Sequence, residues 1–71
     1  MEPMHFLVID VKAMKYTLVV DRKSLDDFYD NMGPTGIDRV FVSGYFDTYD
    51  RQSVVYSFVK DEITSFVSYE V

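Results

Sequence analysis

The chain predicts an α+β fold: a ββαβββ order forming a five-stranded, mainly antiparallel sheet with one short helix packed on one face. Three observations lead there. Its 71 residues make a single small domain spanning 1–71. One segment alone, 25–32, repeats apolar residues at helical spacing, with Leu25, Phe28, Tyr29 and Met32 forming one stripe. The remaining apolar residues fall in short runs rich in Val, Ile, Tyr and Phe, separated by charged or turn-forming residues, which is the mark of strands.

The first two strands are expected at His5–Val11 and Met14–Val20, joined by a tight turn at Lys12-Ala13. That register sets Asp10 opposite Lys15 on one face, and Ile9 opposite Tyr16 and Leu7 opposite Leu18 on the other. Asp21-Arg22-Lys23 then leads into the helix. Ser24 is the expected N-cap, with Asp27 three residues on in the place of a capping-box Glu, and Gly33-Pro34 is the expected stop, with Gly33 as a left-handed cap.

Strands follow at 37–46, Ser53–Val59 and 62–70. A two-residue turn at Lys60-Asp61 would make the last two a hairpin, pairing Phe58 with Ile63, Tyr56 with Ser65 and Val54 with Val67. Val54, Tyr56, Phe58, Ile63, Val67 and Tyr69 would then face the core, and Val55, Val59 and Phe66 would face away. The third strand fits two registers. Either Val40, Val42 and Phe46 point inward, or Phe41 and Tyr45 do, because a one-residue slip exchanges the faces.

Residues 40–46 and 53–59 are nearly continuous apolar runs, the pattern of strands covered on both sides. One helix covers one face. The other face is therefore expected to meet a second copy or a partner, unless the sheet curls into a half-open barrel that buries part of it.

Composition narrows the function. With no cysteine and one histidine, neither disulfides nor a structural metal can staple the domain, and its six Phe and six Tyr must supply the core. Twelve acids against seven bases give a net charge of −5, which argues against direct binding to DNA, RNA or an anionic membrane. No segment approaches the ~20 apolar residues of a membrane span. Met1-Glu2-Pro3-Met4-His5 lacks the positive start of a signal peptide. The expectation is a cytoplasmic protein.

Nothing in the chain assembles a catalytic constellation, so no enzyme activity, cofactor or metal is expected. His5 alternates with Leu7 and Ile9 and reads as a packed histidine rather than a base. Asp47 and Asp50 lack the further oxygens of a calcium loop. The glycines at 33 and 36 follow a helix, whereas phosphate cradles precede one.

What remains is an interaction protein for a basic, nucleic-acid-binding protein partner. Asp26, Asp27 and Asp30 on the helix would carry it, with Asp47, Asp50 and Glu70 as additions. Nine of the twelve acids are Asp, whose short side chains place carboxylates where phosphates would stand. Small acidic inhibitors, among them virus-encoded proteins that block nucleic-acid-directed defence enzymes, share this size and charge as a class. The alternative is a structural homodimer or small subunit of a larger assembly, joined through Phe41, Tyr45, Val55 and Phe66.

Overall fold

The computed structural model describes residues 4–46 and 52–70. β1 (His5–Val11) and β2 (Met14–Val20) form the expected hairpin, with Asp10 opposite Lys15, Ile9 opposite Tyr16 and Leu7 opposite Leu18. Lys12 turns the corner at φ 55°, a left-handed conformation uncommon outside Gly, Asn and Asp. Two bonds to one residue hold it: the Lys12 amide donates to the Glu62 carbonyl at 3.2 Å, and Lys12 Nζ lies 2.8 Å from Glu62 Oε2. The Glu62 carboxylate, through that hydrogen bond and its charge, raises the exposed Lys12 ammonium above its usual 10.5. The small stabilisation this carries is fully present below pH 10.5 and fades as Lys12 deprotonates above it.

α1 (Arg22–Met32) begins one turn earlier than the sequence suggests. Asp21, not Ser24, is the N-cap: its carboxylate accepts from the Ser24 amide at 2.8 Å, which places Ser24 within the first turn. The C-terminal end differs too. Gly33 is extended (φ −72°, ψ −175°) rather than left-handed, because a residue preceding proline is pushed out of the helical region towards extended backbone. The left-handed position falls instead at Gly36, at φ 77°. The Lys60 ammonium donates to the Gly33 carbonyl, setting a cation against the negative end of the helix.

β3 (Arg39–Tyr45), β4 (Ser53–Val59), a 3₁₀ turn (Lys60–Glu62) and β5 (Ile63–Glu70) complete the chain. The sheet is antiparallel throughout, in the order β4-β3-β2-β1-β5. The expected β4–β5 hairpin is not formed. β5 crosses to the far edge and pairs with β1, setting Phe6 opposite Tyr69, Val8 opposite Val67 and Ile9 opposite Phe66. The Lys60-Asp61 step becomes part of a 3₁₀ turn rather than a two-residue reversal, and so carries the chain across instead of back.

Those connections require the sheet to curl. Laid flat, β4 and β5 would lie four strand spacings apart, about 19 Å. A three-residue 3₁₀ turn rises only ~2 Å per residue. The two edges therefore converge at the turn, and the five-stranded sheet is curled. β2 and β3 pair at a single position, Val19 with Tyr45, whereas β3 and β4 pair along seven residues. The sheet folds over at that sparse seam. Across the concave side, the Tyr16 ring of β2 reaches past β3 to Tyr56 and Phe58 of β4, with centroids 5.7 and 5.2 Å apart.

The core lies between the concave face and the helix. Leu7, Ile9, Leu18, Val20, Val40, Val42 and Phe58 come from the sheet, Leu25 and Phe28 from α1. Of the two registers open to β3, the one with Val40 and Val42 inward is adopted, which leaves Phe41 on the convex face; Phe46, expected inward with them, lies past the end of the strand and is 51% exposed.

The seam depends on Gly44. A Cβ there would stand 2.6 Å from the Val19 carbonyl oxygen and 2.9 Å from a Val20 methyl carbon. Gly44→Ala is expected to cost about 3 kcal/mol by urea unfolding, since backbone as well as side chain must shift. Gly36→Ala has open space around it and is expected to lose only about 1 kcal/mol, from its positive φ.

Candidate functional site

Three regions contain chemistry, and the last two share Tyr45 and Val55. The first is the outward surface of α1. Leu25 and Phe28 are its buried residues, and Asp26, Asp27 and Asp30 are exposed as the helical spacing requires. Asp26 is bridged by Arg22 one turn earlier, Nε to Oδ1 at 3.3 Å, in a solvated pair of small energy. Asp27 and Asp30 make no ion pair among the described residues.

The second region is the convex face of the sheet. Phe41 is 61% exposed and Val55 65%, on β3 and β4. Tyr45 shares the face, beside Val19 at the seam. On the opposite wing Val67 (56% exposed) and Tyr69 (53%) stand beside Phe6, whose ring lies 5.3 Å from that of Tyr69. Asp10 is the one acid on this face among the described residues; it accepts from the Ser65 hydroxyl at 2.6 Å and faces Lys15 across the hairpin.

The third is an open cleft of about 260 Å³ between the start of α1 and the ends of β3 and β4. Asp21, Ser24, Ser43, Tyr45 and Ser53 are the polar residues that line it. Asp21 already caps the helix, and no imidazole, thiol or amine lines the cleft to activate a hydroxyl.

Other sequence-derived candidates fall elsewhere. His5 is 5% exposed, and its Nε2 is buried without a hydrogen-bond partner among the described residues, so it is sealed from any substrate. Among the described residues no three metal-ligating side chains converge, and no helix is long and apolar enough to cross a membrane. Asp47 and Asp50 lie outside the described residues. Glu70 ends β5 on the concave side, across from His5.

No family model matches the chain, and no curated protein or solved structure matches it either. The chemistry of its own surfaces must therefore carry any functional conclusion.

Phe66 does not lie with Phe41, Tyr45 and Val55. It is half-buried on the concave side, 5.2 Å from the Phe28 ring and 5.5 Å from that of Tyr29. Val67 and Tyr69, expected in the core, are on the convex face instead. The inversion follows from the changed partner of β5. Pairs such as Ile9–Phe66 and Val8–Val67 are as apolar as the hairpin pairs Phe58–Ile63 and Val54–Val67, so cross-strand matching alone cannot rank them.

Phe66→Lys is accordingly expected to lose about 3 kcal/mol or more of stability, because it removes a core ring. Val55→Lys should stay within about 0.5 kcal/mol of the parent. Paired urea melts measure the contrast, and equal losses would contradict the assigned faces.

Proposed function

We propose that the protein is a non-enzymatic binding domain that engages a basic, nucleic-acid-binding protein through its acidic helix side and competes with nucleic acid for it. The observation that supports this reading is the separation of acids from apolar surface. Asp26, Asp27 and Asp30 project into solvent on α1, while the convex sheet face has Asp10 as its one acid among the described residues, already bonded to Ser65. Carboxylates held on a rigid helix approximate a short row of phosphates, and a basic groove built for phosphate accepts them without rearrangement. In this reading the chain acts as an inhibitor by occupying that groove, in the manner of virus-encoded anti-defence proteins.

Titration of the protein against a panel of basic nucleic-acid-binding proteins tests it. Affinity is expected to fall steeply between about 50 and 300 mM salt, as screening shortens the range of the carboxylates. The triple charge reversal Asp26→Lys, Asp27→Lys, Asp30→Lys should abolish it. Binding that ignores salt and survives the reversal would refute the electrostatic reading.

A second reading rests on a separate observation, the exposure of Phe41 and Val55 on the convex side. Two copies joined there, with Tyr45 between, would keep their acidic sides outward. Light scattering then gives a dimer that salt does not dissociate, and Phe41→Lys returns it to a folded monomer. A parent protein of monomer mass would remove this reading and leave the first intact.

A further inference from the structure

β5 lies at an edge of the sheet, paired with β1 on one side only. The backbone N–H and C=O groups along its other side face no strand. Natural edge strands are usually blunted by Lys, Pro or a bulge. β5 (Ile63–Glu70) contains no Lys, Arg, Pro or Gly. Its one irregularity, a register shift opposite Asp10 and Val11, falls near the start and leaves Ser65 to Glu70 regular.

The two sides of this edge differ in chemistry. On the concave side α1 leans over β5 through Tyr29, whose hydroxyl shares a 2.8 Å hydrogen bond with Ser68 Oγ and whose ring packs on Phe66. Ser24, on the opposite side of the helix, lines the cleft against β3 and β4. At 3.6 residues per turn, Asp26 and Asp30 lie roughly 60° and 100° around from Tyr29, on the flank away from Ser24. Tyr29 turns the near part of that flank, with Asp26, to the β5 side of the helix, while Asp30 faces solvent opposite the buried Leu25 and Phe28; Glu70 ends the strand on the concave side. Asp27 lies roughly 160° from Tyr29 and points away. Arg22 lies on the same flank, roughly 20° around from Tyr29, and bridges Asp26 through an exposed contact that an incoming cation can replace. On the convex side the same edge presents Val67 and Tyr69, beside Phe6.

We infer that the free edge of β5 is a docking strand for an extended segment of a basic partner, in which Lys or Arg alternates with apolar residues. An added strand alternates its side chains between faces. Its basic residues would meet Asp26 and Glu70, its apolar residues Val67 and Tyr69, and its backbone would complete the ladder. Recognition of this kind draws affinity from main-chain hydrogen bonds and specificity from alternate side chains. A second copy fits the edge poorly, since it would bring two chains of charge −5 together. At the β4 edge, among the described residues, the Arg39 guanidinium donates to Ser57 at 3.2 Å.

The inference rests on the basic-partner reading above, and the test separates the two. Three peptides are titrated into ¹⁵N-labelled protein: Lys-Val-Lys-Val-Arg-Val-Lys, a block-scrambled version of equal charge, and the first sequence N-methylated at alternate residues. The alternating peptide should shift the amides of Ile63–Glu70 most. The scrambled and N-methylated peptides should each bind at least about tenfold more weakly, having lost the side-chain alternation or the backbone donors. Asp26→Lys should weaken the alternating peptide about tenfold, and Asp27→Lys less than about twofold, as their positions around the helix require. Equal binding of all three peptides would overturn the docking edge while leaving the basic-partner reading standing. Shifts centred on β4, or a dimer through β5 in the absence of peptide, would also overturn it. Failure of every peptide and every basic protein to bind at low salt would refute both.

Discussion

The close approach of β3 to β2 at Gly44 is the contact on which the molecule depends. The seam consists of one paired position, Val19 with Tyr45, and a backbone contact that leaves no room for a side chain at residue 44. On one side lies the β5–β1–β2 wing, on the other the β3–β4 ladder. A longer β2–β3 ladder would hold these wings nearer a common plane. A single pairing lets them fold towards each other, and that closure lets a three-residue turn connect the two edges of the sheet.

Closure also explains how so small a chain forms a core without a disulfide. The rings of Tyr16, Tyr56 and Phe58 close one region of the concave side, while Phe28, Tyr29 and Phe66 join the helix to β5. Aromatic side chains bury large areas at modest entropic cost and pack edge-to-face as well as stacked, which suits a tight, strongly curved interior. Polar ties pin the periphery: Asp21 caps α1, Lys60 closes its other end, and Glu62 steadies the strained Lys12 turn. Each links a loop to an element distant from it or bounding it, so the turns and the helix ends are set by the same closure as the core.

The functional surfaces are consequences of this arrangement. Because the helix lies on the concave side, its solvent face holds Asp26, Asp27 and Asp30, while the convex face carries Asp10 as its one acid among the described residues, with Lys15 and Arg39. Because β5 crosses to the far edge, one side of its backbone is unpaired and its concave side meets Tyr29 of the helix. An open strand edge and an apolar margin thus meet at one place, although their residues come from separate parts of the chain.

Local physics in the sequence was enough for the strands, the β1–β2 register and the solvent face of α1. Strand alternation, opposed charges at Asp10 and Lys15, and the spacing of Leu25 and Phe28 act within a few residues. Even the errors at the helix ends were local ones: Asp21 competed with Ser24 as cap, and Pro34 overrode the conformational freedom of Gly33. The partner of β5 and the inward side of β3 were decided only by tertiary structure. Apolar pairing fits β5 equally well to β4 or to β1, and alternation leaves a strand free to present either face. Curvature breaks both ties, because a sheet that folds at Gly44 brings its edges together and gives each strand a concave side. That closure, acting across the whole chain, turned Phe66 inward and left Val67 and Tyr69 outward.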